Sequence, residues 1–248
     1  MTKITSAADL AALREGGKIL AQTLQLLAAK ALPGTRAATL DALAEETIRA
    51  AGGEPAFKGY QGFPATVCIS INSEVVHGIP GKKVFHEGDI VGLDCGVRYK
   101  GFVTDATVTV GVGKISKAAR KLIDATEQSF WGAANIIKAG VHTGDIGHAV
   151  QTYVEARGYG VVRALVGHGV GKQVHEDPKV PNYGEPGSGS MLQEGVVIAL
   201  EPMVTAGHWD VRTAPDGWSI ATVDGSLASH YEHTLVVTAD GCEIVTKL

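Results

Sequence analysis

Two apolar runs decide the fold: Ile90-Val91-Gly92-Leu93-Asp94-Cys95-Gly96-Val97 and Gly101-Phe102-Val103-Thr104-Asp105-Ala106-Thr107-Val108-Thr109-Val110. Each run carries one carboxylate inside a segment whose apolar and β-branched residues predict a strand. A two-residue turn at Tyr99-Lys100 would join them as a hairpin with Asp94 directly opposite Asp105. Directly opposite residues share a face, with Cβ atoms roughly 4.5 to 5.5 Å apart.

Two carboxylates at that distance in a poorly solvated site repel each other. Either one of them is protonated or a cation lies between them. A divalent metal ion is the simplest solution, and such an ion requires further ligands from elsewhere in the chain.

The second half of the chain offers three further candidate ligands. His168 stands between two glycines, Glu201 ends the apolar run that begins at Val196, and Glu232 lies in a second apolar run. Taken singly, each is more often an edge residue, half of a buried ion pair or a hydrogen-bonded histidine. Taken together with Asp94 and Asp105, they form a set that few basic residues nearby in sequence could neutralise.

This set indicates a particular kind of metal site. Carboxylate-rich ligation with one imidazole and no thiolate suits a pair of divalent ions rather than a structural zinc. Such ions lie about 3.5 to 4 Å apart, activate a bridging water and polarise a carbonyl group. The predicted chemistry is therefore hydrolysis.

Length and composition predict one catalytic domain over residues 1–248, with 45% hydrophobic residues to build its core. The net charge of -4 and the lack of any Lys/Arg run argue against a dedicated nucleic-acid or anionic-membrane binder. Three scattered cysteines without a CxxC spacing indicate a reducing compartment. No signal core follows Met1, and no apolar run approaches the roughly 18 residues of a membrane span. We expect a cytoplasmic protein.

The first half predicts two helices followed by strands. Ser6 with Asp9 caps a helix that ends before Pro33-Gly34. A second helix is predicted from about Thr39 to Gly52, and its charged residues are expected on a solvated face: Asp41, Glu45, Glu46 and Arg49. A strand from Thr66 to Ile71 precedes the hairpin.

The second half repeats this order. Ser116 opens a helix to about Lys138, and Thr143 caps another that runs to Gly158. The predicted strands are Val161–Val166, Val196–Val204, Trp218–Val223, Tyr231–Val237 and Glu243–Thr246. Two halves with one element order indicate an internally two-fold α+β fold with mixed or antiparallel sheets and a site at the seam.

At this point the sequence resembles the type I methionine aminopeptidases, which have the pita-bread metallopeptidase fold with internal pseudo-two-fold symmetry. Besides Asp94 and Asp105, the matching stretches are Gly59-Tyr60-Gln61-Gly62-Phe63-Pro64, Val67-Cys68-Ile69-Ser70-Ile71-Asn72, His77-Gly78-Ile79-Pro80, Gly167-His168-Gly169-Val170-Gly171, His175-Glu176, Glu201-Pro202-Met203 and Tyr231-Glu232-His233-Thr234. They extend over nearly the whole chain and are jointly specific.

The resemblance implies a role for each site residue. It makes five residues the ligands of two divalent ions, with Asp105 and Glu232 bridging: Asp94, Asp105, His168, Glu201 and Glu232. It assigns His77 to the scissile amide and His175 to the carbonyl oxygen as charge develops there, while Glu201 relays a proton. It places five residues around a methionine side chain: Tyr60, Phe63, Cys68, Val174 and Trp218.

The implied activity is removal of the N-terminal methionine from nascent polypeptides whose second residue is small. The ligand set would accept manganese, iron, cobalt or zinc. We expect a monomer whose partners are polypeptide N-termini, with no nucleic-acid or membrane partner.

Two other functions stay open. The first is a proline-directed aminopeptidase or dipeptidase of the same fold, although such enzymes usually carry a large extra N-terminal domain and only 58 residues precede Gly59 here. The second is a non-catalytic binding protein on this fold, which would be expected to have lost ligands. All five implied ligands are present, which favours the methionine-specific enzyme.

Overall fold

The computed structural model describes residues 1–247, which form four α-helices and fifteen strands. The helices are α1 Ala7–Lys30, α2 Ala37–Ala50, α3 Lys117–Ala134 and α4 Thr143–Glu155. The strands of the first half are β1 Glu54–Pro55, β2 Val67–Ile71, β3 Glu74–Val76, β4 Ile90–Tyr99 and β5 Phe102–Gly111. Those of the second half are β6 Gly160–Val161, β7 Gly167–Gly169, β8 Glu176–Val180, β9 Val197–Leu200, β10 Met203–Thr205, β11 Val211–Thr213, β12 Ile220–Thr222, β13 Ala228–His230, β14 Glu232–Val237 and β15 Cys242–Ile244.

A nine-stranded sheet forms the centre of the molecule. Its main path runs β1-β4-β5-β14-β9-β7-β8, with β2 paired to β4 and β15 paired to β14. Every pair in this sheet is antiparallel. Strands β5 and β14 meet at the seam between the two halves of the chain. Two three-stranded sheets lie beside it, in the orders β13-β10-β6 and β11-β12-β3.

One face of the central sheet is covered by helices. Along β4, alternate residues from Val91 to Val97 pack in one core cluster with the apolar residues of α1 and α2. Along β14, Leu235 and Val237 pack with α3 and α4. Because side chains alternate along a strand, Asp94 and Glu232 point to the opposite face. The helices therefore cover one face and leave the acids on the other.

The predicted α+β class is confirmed, and so is the order of elements in the two halves. Ser6 caps α1, since its hydroxyl accepts a hydrogen bond from the backbone N–H of Asp9 at 3.1 Å. Ser116 caps α3 in the same way, accepting from Ala119 at 3.0 Å. Each serine satisfies a backbone donor at the start of its helix.

The predicted cap of α4 is wrong by one residue. His142 is the N-cap, and the Asp145 carboxylate accepts from the His142 backbone N–H at 2.8 Å. A side chain at the third helical position reaches back to the cap, so the acid selects His142. Thr143 is the first helical residue, and its hydroxyl accepts from the Ser190 backbone N–H at 3.2 Å.

Several boundaries also differ. Helix α2 begins at Ala37 rather than Thr39, α3 ends at Ala134 rather than Lys138, and α4 ends at Glu155 rather than Gly158. Of the predicted strand Val161–Val166, only Val161 lies in β6, which is Gly160–Val161. The predicted strand Val196–Val204 is split into β9 and β10 at Glu201-Pro202. Proline has no backbone N–H to donate to a ladder, which accounts for this break.

Asp41 is not a solvated surface acid as predicted. Its carboxylate accepts hydrogen bonds from the backbone N–H groups of Thr66 and Val67 at 2.7 and 3.0 Å. Asp41 therefore connects α2 to the start of β2, the strand that carries Cys68. Within residues 1–247, no helix combines the length and the apolar character needed to cross a membrane.

Candidate functional site

The hairpin β4–β5 holds Asp94 and Asp105 on one face, but in a different register from the predicted one. The turn is Lys100-Gly101, so Asp94 faces Thr107 and Asp105 faces Gly96. Both turn residues have positive φ, 47° and 80°, as a type I′ hairpin turn requires. The predicted direct pairing of the two acids is therefore wrong. Because the register differs by two residues, both acids keep the same face and are diagonal neighbours.

Strand β14 adds Glu232 to this face across the seam. Glu232 faces Thr107, whose hydroxyl donates to Glu232 Oε2 at 2.9 Å. Thr107 thus stands between Asp94 on one side and Glu232 on the other. His233 faces Leu200, the last residue of β9, and Glu201 follows Leu200 directly in the chain. All four acids line one cavity.

His168 completes the group from β7. It faces Ala199 of β9 on one side. On the other side, the register of β7 with β8 shifts between His168 and Gly169. A side chain on Gly169 would place its Cβ 2.1 Å from the Asp177 carbonyl oxygen, so only glycine allows the neighbouring strand to approach this closely.

The imidazole of His168 has a defined orientation. Its Nδ1 lies 3.0 Å from the Gly169 carbonyl oxygen, which can only accept, so Nδ1 carries the proton. The Nε2 lone pair then points toward Glu201 Oε1, 3.4 Å away. Burial, followed by His175, lowers the pKa of His168 to about 3. A neutral imidazole with a free Nε2 is the form that binds metal ions.

The five residues predicted as ligands lie together. Asp105, His168 and Glu232 each offer a ligand atom, and these atoms all lie within 4.8 Å of one another. Glu201 adjoins His168, and Asp94 lies diagonally across the hairpin from Asp105. All five side chains are buried and line one cavity.

Burial raises the pKa of all four carboxylates, and repulsion between the acids adds to this for three of them. Burial first, then Glu232 and Asp94, raise the pKa of Asp105 well above its usual range. Burial and the neighbouring acids likewise raise the pKa values of Glu201 and Glu232. Burial also raises the pKa of Asp94, although His230 partly offsets it. The cluster as it stands lacks positive charge.

A divalent cation fits this cluster. Oδ1 of Asp94 and Oδ1 of Asp105 are buried and have no hydrogen-bond partner among the described residues. In residues 1–247, the basic side chains within 4.0 Å of the Glu201 and Glu232 carboxylates are His168 and His230, and burial lowers the pKa of each so that both are neutral near pH 7. No lysine or arginine of these residues pairs with any of the four acids. Unpaired carboxylate oxygens beside one neutral imidazole are the donors of a metal site that favours transition metals.

The whole cavity has a volume of about 670 Å³, and it continues from the acids into an apolar recess. Five residues predicted to hold a methionine side chain line it: Tyr60, Phe63, Cys68, Val174 and Trp218. Phe63 and Trp218 meet edge to face with ring centroids 5.2 Å apart. Cys68 faces Asp94 in the β2–β4 ladder, which places the recess directly beside the acids.

Both predicted substrate histidines line the same cavity. His77 has φ of 57°, a conformation rare for residues other than glycine, and it follows β3 in a loop. Burial first, then His230 and His175, lower the pKa of His77 to about 4. Nδ1 of His175 lies 3.2 Å from the Tyr60 hydroxyl, and burial lowers the pKa of His175. Both side chains are neutral near pH 7.

Sequence reasoning missed two residues of the site. His230 is buried with Nε2 3.3 Å from Glu201 Oε2 and 4.0 Å from Glu232 Oε2. His230 ends β13 whereas Glu232 begins β14, so their spacing of two residues does not place them on one strand face and gave no signal. Asn182 is also buried, and its Nδ2 donates to the Glu201 carbonyl oxygen at 2.9 Å. No local pattern indicates that contact.

Comparisons with known proteins agree with this geometry. The family model of metallopeptidase family M24 matches residues 11–239. A methionine aminopeptidase of Clostridium acetobutylicum is 50% identical over 235 residues, which are 94% of each chain. The crystal structure of methionine aminopeptidase from Thermotoga maritima has a TM-score of 0.97 and 42% identity, with full coverage of both chains.

A more distant structure shares the fold alone. The prolidase from Pyrococcus furiosus has a TM-score of 0.79 at 22% identity, over 99% of this chain and 65% of that chain. The predicted pita-bread fold and the predicted likeness to methionine aminopeptidases are confirmed by these matches.

Proposed function

We propose that this chain, which belongs to metallopeptidase family M24, hydrolyses the first peptide bond of polypeptides that begin with methionine followed by a small residue. One observation carries the proposal: a cluster of four acids and His168 opens directly into an apolar recess. The names of the relatives at 50% and 42% identity support the same activity.

We propose that two divalent ions, manganese, iron, cobalt or zinc, would be held by five residues: Asp94, Asp105, His168, Glu201 and Glu232. When bound, such ions polarise the scissile carbonyl and make a water molecule more acidic. Support comes from the unpartnered oxygens of Asp94 and Asp105. The Thr107 hydroxyl would orient Glu232 toward the ions, since a hydrogen-bonded ligand is held in one direction.

The recess would hold the methionine side chain. Burial raises the pKa of Cys68 well above its usual range, so this wall is an uncharged thiol rather than a thiolate. Phe63 and Trp218 pack edge to face in the same cavity. A polarisable thioether binds favourably at aromatic edges. A charged side chain would lose its hydration there without finding a partner.

The two histidines would act on the substrate peptide bond. A Tyr60 hydroxyl that donates to Nδ1 of His175 leaves the imidazole proton on Nε2, from which it can be donated to the carbonyl oxygen. His77, also neutral, would hydrogen-bond the scissile amide. Glu201 would accept the proton of the attacking water and deliver it to the leaving amine.

Specificity for a small second residue would follow from this fixed placement. Once the methionine side chain fills the recess, the next side chain is forced against the wall of the cavity. A steric penalty of about 3 kcal/mol in the transition state lowers the rate by roughly two orders of magnitude. Glycine, alanine, serine or threonine would avoid this penalty.

The test uses metal-reconstituted protein and peptides of equal concentration. Met-Ala- and Met-Thr-initiated peptides are expected to release methionine at least about 100-fold faster than Met-Leu- and Met-Lys-initiated peptides. Equal rates for all four would refute the small-residue rule. Faster cleavage of an Xaa-Pro peptide would instead identify a proline-directed enzyme, and no cleavage of any peptide would identify a binding protein.

We further propose that residues 1–248 act as one catalytic domain, as a cytoplasmic monomer whose partners are the N-termini of nascent polypeptides. The net charge of -4 supports the expectation that nucleic acid is not a partner. Sedimentation of the metal-loaded protein with and without RNA tests the monomeric state and the lack of RNA binding. A dimer, or comigration with RNA at physiological salt, would contradict them.

A further inference from the structure

The first residues of the chain lie along the strand that leads to Glu201. Lys3 forms an isolated antiparallel bridge with Val196, and the Val197 backbone N–H donates to the Thr2 carbonyl oxygen at 3.2 Å. The Ile4 backbone N–H donates to the Gly195 carbonyl oxygen at 2.7 Å. These contacts fix the segment to β9 and leave the Thr2 side chain buried.

The Thr2 side chain contacts a turn formed by residues 171–175. Its hydroxyl donates to Glu176 Oε1 at 2.8 Å and accepts from the Lys172 backbone N–H at 2.9 Å. Glu176 Oε1 also accepts from the backbone N–H groups of Lys172 and Gln173, each at 2.8 Å. One hydroxyl and one carboxylate thus hold the backbone of this turn together.

The turn packs closely on Thr2. A Cβ built on Gly171 would lie 2.6 Å from the Thr2 side chain, and Gly171 has φ of 141°. The Gly171 carbonyl oxygen accepts from the Val103 backbone N–H at 2.6 Å, which ties the turn to the strand of Asp105. The position of the turn is therefore set from two sides, by Thr2 and by β5.

This turn carries a wall of the cavity. Val174 and His175 both line it, and His175 stacks edge to face on His168 with centroids 4.4 Å apart. Glu176 lines the cavity beside them. Thr2 and residues 171–173 are not among the described residues that line this cavity, so an effect of Thr2 on the reaction would pass through the turn.

We propose that Thr2 and Glu176 are positioning residues that align His175 with the substrate carbonyl oxygen. The inference rests on the proposed function. A donor to a developing oxyanion must be held within a fraction of an ångström, and a 1 Å displacement costs about 100-fold in rate. Removing the Thr2 hydroxyl loosens the turn without removing any group that contacts substrate.

The test is a double-mutant cycle with Thr2→Val and His175→Ala, assayed on a Met-Ala peptide. Thr2→Val keeps the shape of the side chain and deletes the hydroxyl, and we expect kcat to fall about tenfold with KM unchanged. Thr2→Ser restores the hydroxyl and is expected to retain wild-type kcat. In the His175→Ala background, Thr2→Val is expected to have no further effect, because both changes remove the same interaction. Intact-mass measurement checks that the compared variants all retain or all lack Met1, whose α-ammonium lies 3.1 Å from Glu176 Oε2.

Three kinetic outcomes would overturn the inference. They are wild-type kcat in Thr2→Val, an equal loss in both backgrounds, and a change in KM alone, which would place the effect on Val174 and the recess. A fall in melting temperature with unchanged kcat would likewise show a structural role only.

A second measurement separates this inference from the proposed function. If the wild-type protein cleaves no methionine peptide, the proposed function fails, and amide hydrogen exchange still tests the turn. Exchange of the Lys172 and Gln173 amides is expected to be about tenfold faster in Thr2→Val than in Thr2→Ser, as local opening becomes easier. Equal exchange in the two variants would overturn the inference.

Discussion

The two halves of the molecule supply the site by different means. In the first half, β4 and β5 pair without interruption from Ile90 with Gly111 to Tyr99 with Phe102, and both acids sit inside this regular ladder. In the second half, His168 sits at a register shift and Glu201 at the Glu201-Pro202 break between two short strands. The regular hairpin and the interrupted strands meet where Glu232 faces Thr107.

This difference shows which structural feature positions the site residues in each half. On the hairpin, the alternation of the strand fixes the face of each acid, whatever the turn. In the second half, long-range hydrogen bonds hold the side chains and backbone, such as that from Asn182 to the Glu201 carbonyl oxygen. A change on the hairpin should therefore act through charge, whereas a change in the second half should also act through the supporting contacts.

The largest effect is expected for Asp105→Asn, which removes one of the two charges that the hairpin would contribute to the proposed metal site. At least one ion should no longer bind tightly, and hydrolysis should be lost. Metal analysis after dialysis measures this directly. The matched control is Asp41→Asn, also in the first half, whose carboxylate holds backbone N–H groups. The control should lower the melting temperature and keep the metal content. Wild-type metal stoichiometry and activity in Asp105→Asn would refute the assignment.

The second expected effect compares one histidine from each half. His77→Ala and His175→Ala should each lower kcat by about 100- to 1,000-fold, the usual contribution of a positioned acid, base or oxyanion donor. Metal content and melting temperature should stay nearly unchanged. His86→Ala is the control, since that side chain is 79% exposed and lies outside the cavity. Loss of metal or unfolding in either site variant would show that its role is structural.

A smaller effect is expected for Thr107 and Thr234, whose hydroxyl groups form hydrogen bonds between β5 and β14. Thr107→Val removes the donor to Glu232 and should weaken metal binding by about tenfold, as loss of a ligand's hydrogen-bond partner typically does. The Thr234 hydroxyl accepts from the Asp105 N–H and donates to its carbonyl oxygen, both at 2.8 Å. Thr234→Val should therefore cost about 1 to 3 kcal/mol of unfolding free energy. Calorimetry and metal titration separate the two, and identical profiles would contradict this division.

The smallest expected effect is on the pH dependence of the metal-free protein. Asp105, Glu201 and Glu232 have raised pKa values in the folded state, so their stabilisation is fully present below the unfolded values and is lost as pH rises. His77 and His168, with pKa values lowered to about 4 and 3, act oppositely up to their unfolded value of 6.5.

Above about pH 7.5 the unfolded histidines are almost fully deprotonated, so the groups that still titrate are those with a raised pKa in the folded state: the carboxylates and the buried thiols of Cys68 and Cys95. The melting temperature of the metal-free protein should therefore fall from about pH 7.5 to pH 9, and the slope should be shallower in metal-free Asp105→Asn. Scanning calorimetry after chelation measures both slopes. A melting temperature that rises with pH over this range would contradict the charge crowding.

The sequence by itself determined the elements and the faces of the strands. Ser6 and Ser116 correctly predicted the starts of α1 and α3. The period-two alternation correctly placed Asp94 and Asp105 on one face of the hairpin, although the predicted turn was wrong. These features depend on residues within a few positions of each other, so the local pattern contains the information.

Only the tertiary structure decided which side chains meet across the chain. Thr107 and Glu232 are 125 residues apart, Thr2 and Glu176 are 174 residues apart, and neither contact has a local signature. Two further contacts have no local signature either. Asp41 was predicted on the surface but accepts a backbone hydrogen bond from Thr66, and His230 lies beside Glu201 in the site. The physical reason is that a hydrogen bond between distant residues forms only where packing brings them together. Alternation and capping fix the direction of a side chain but not its partner.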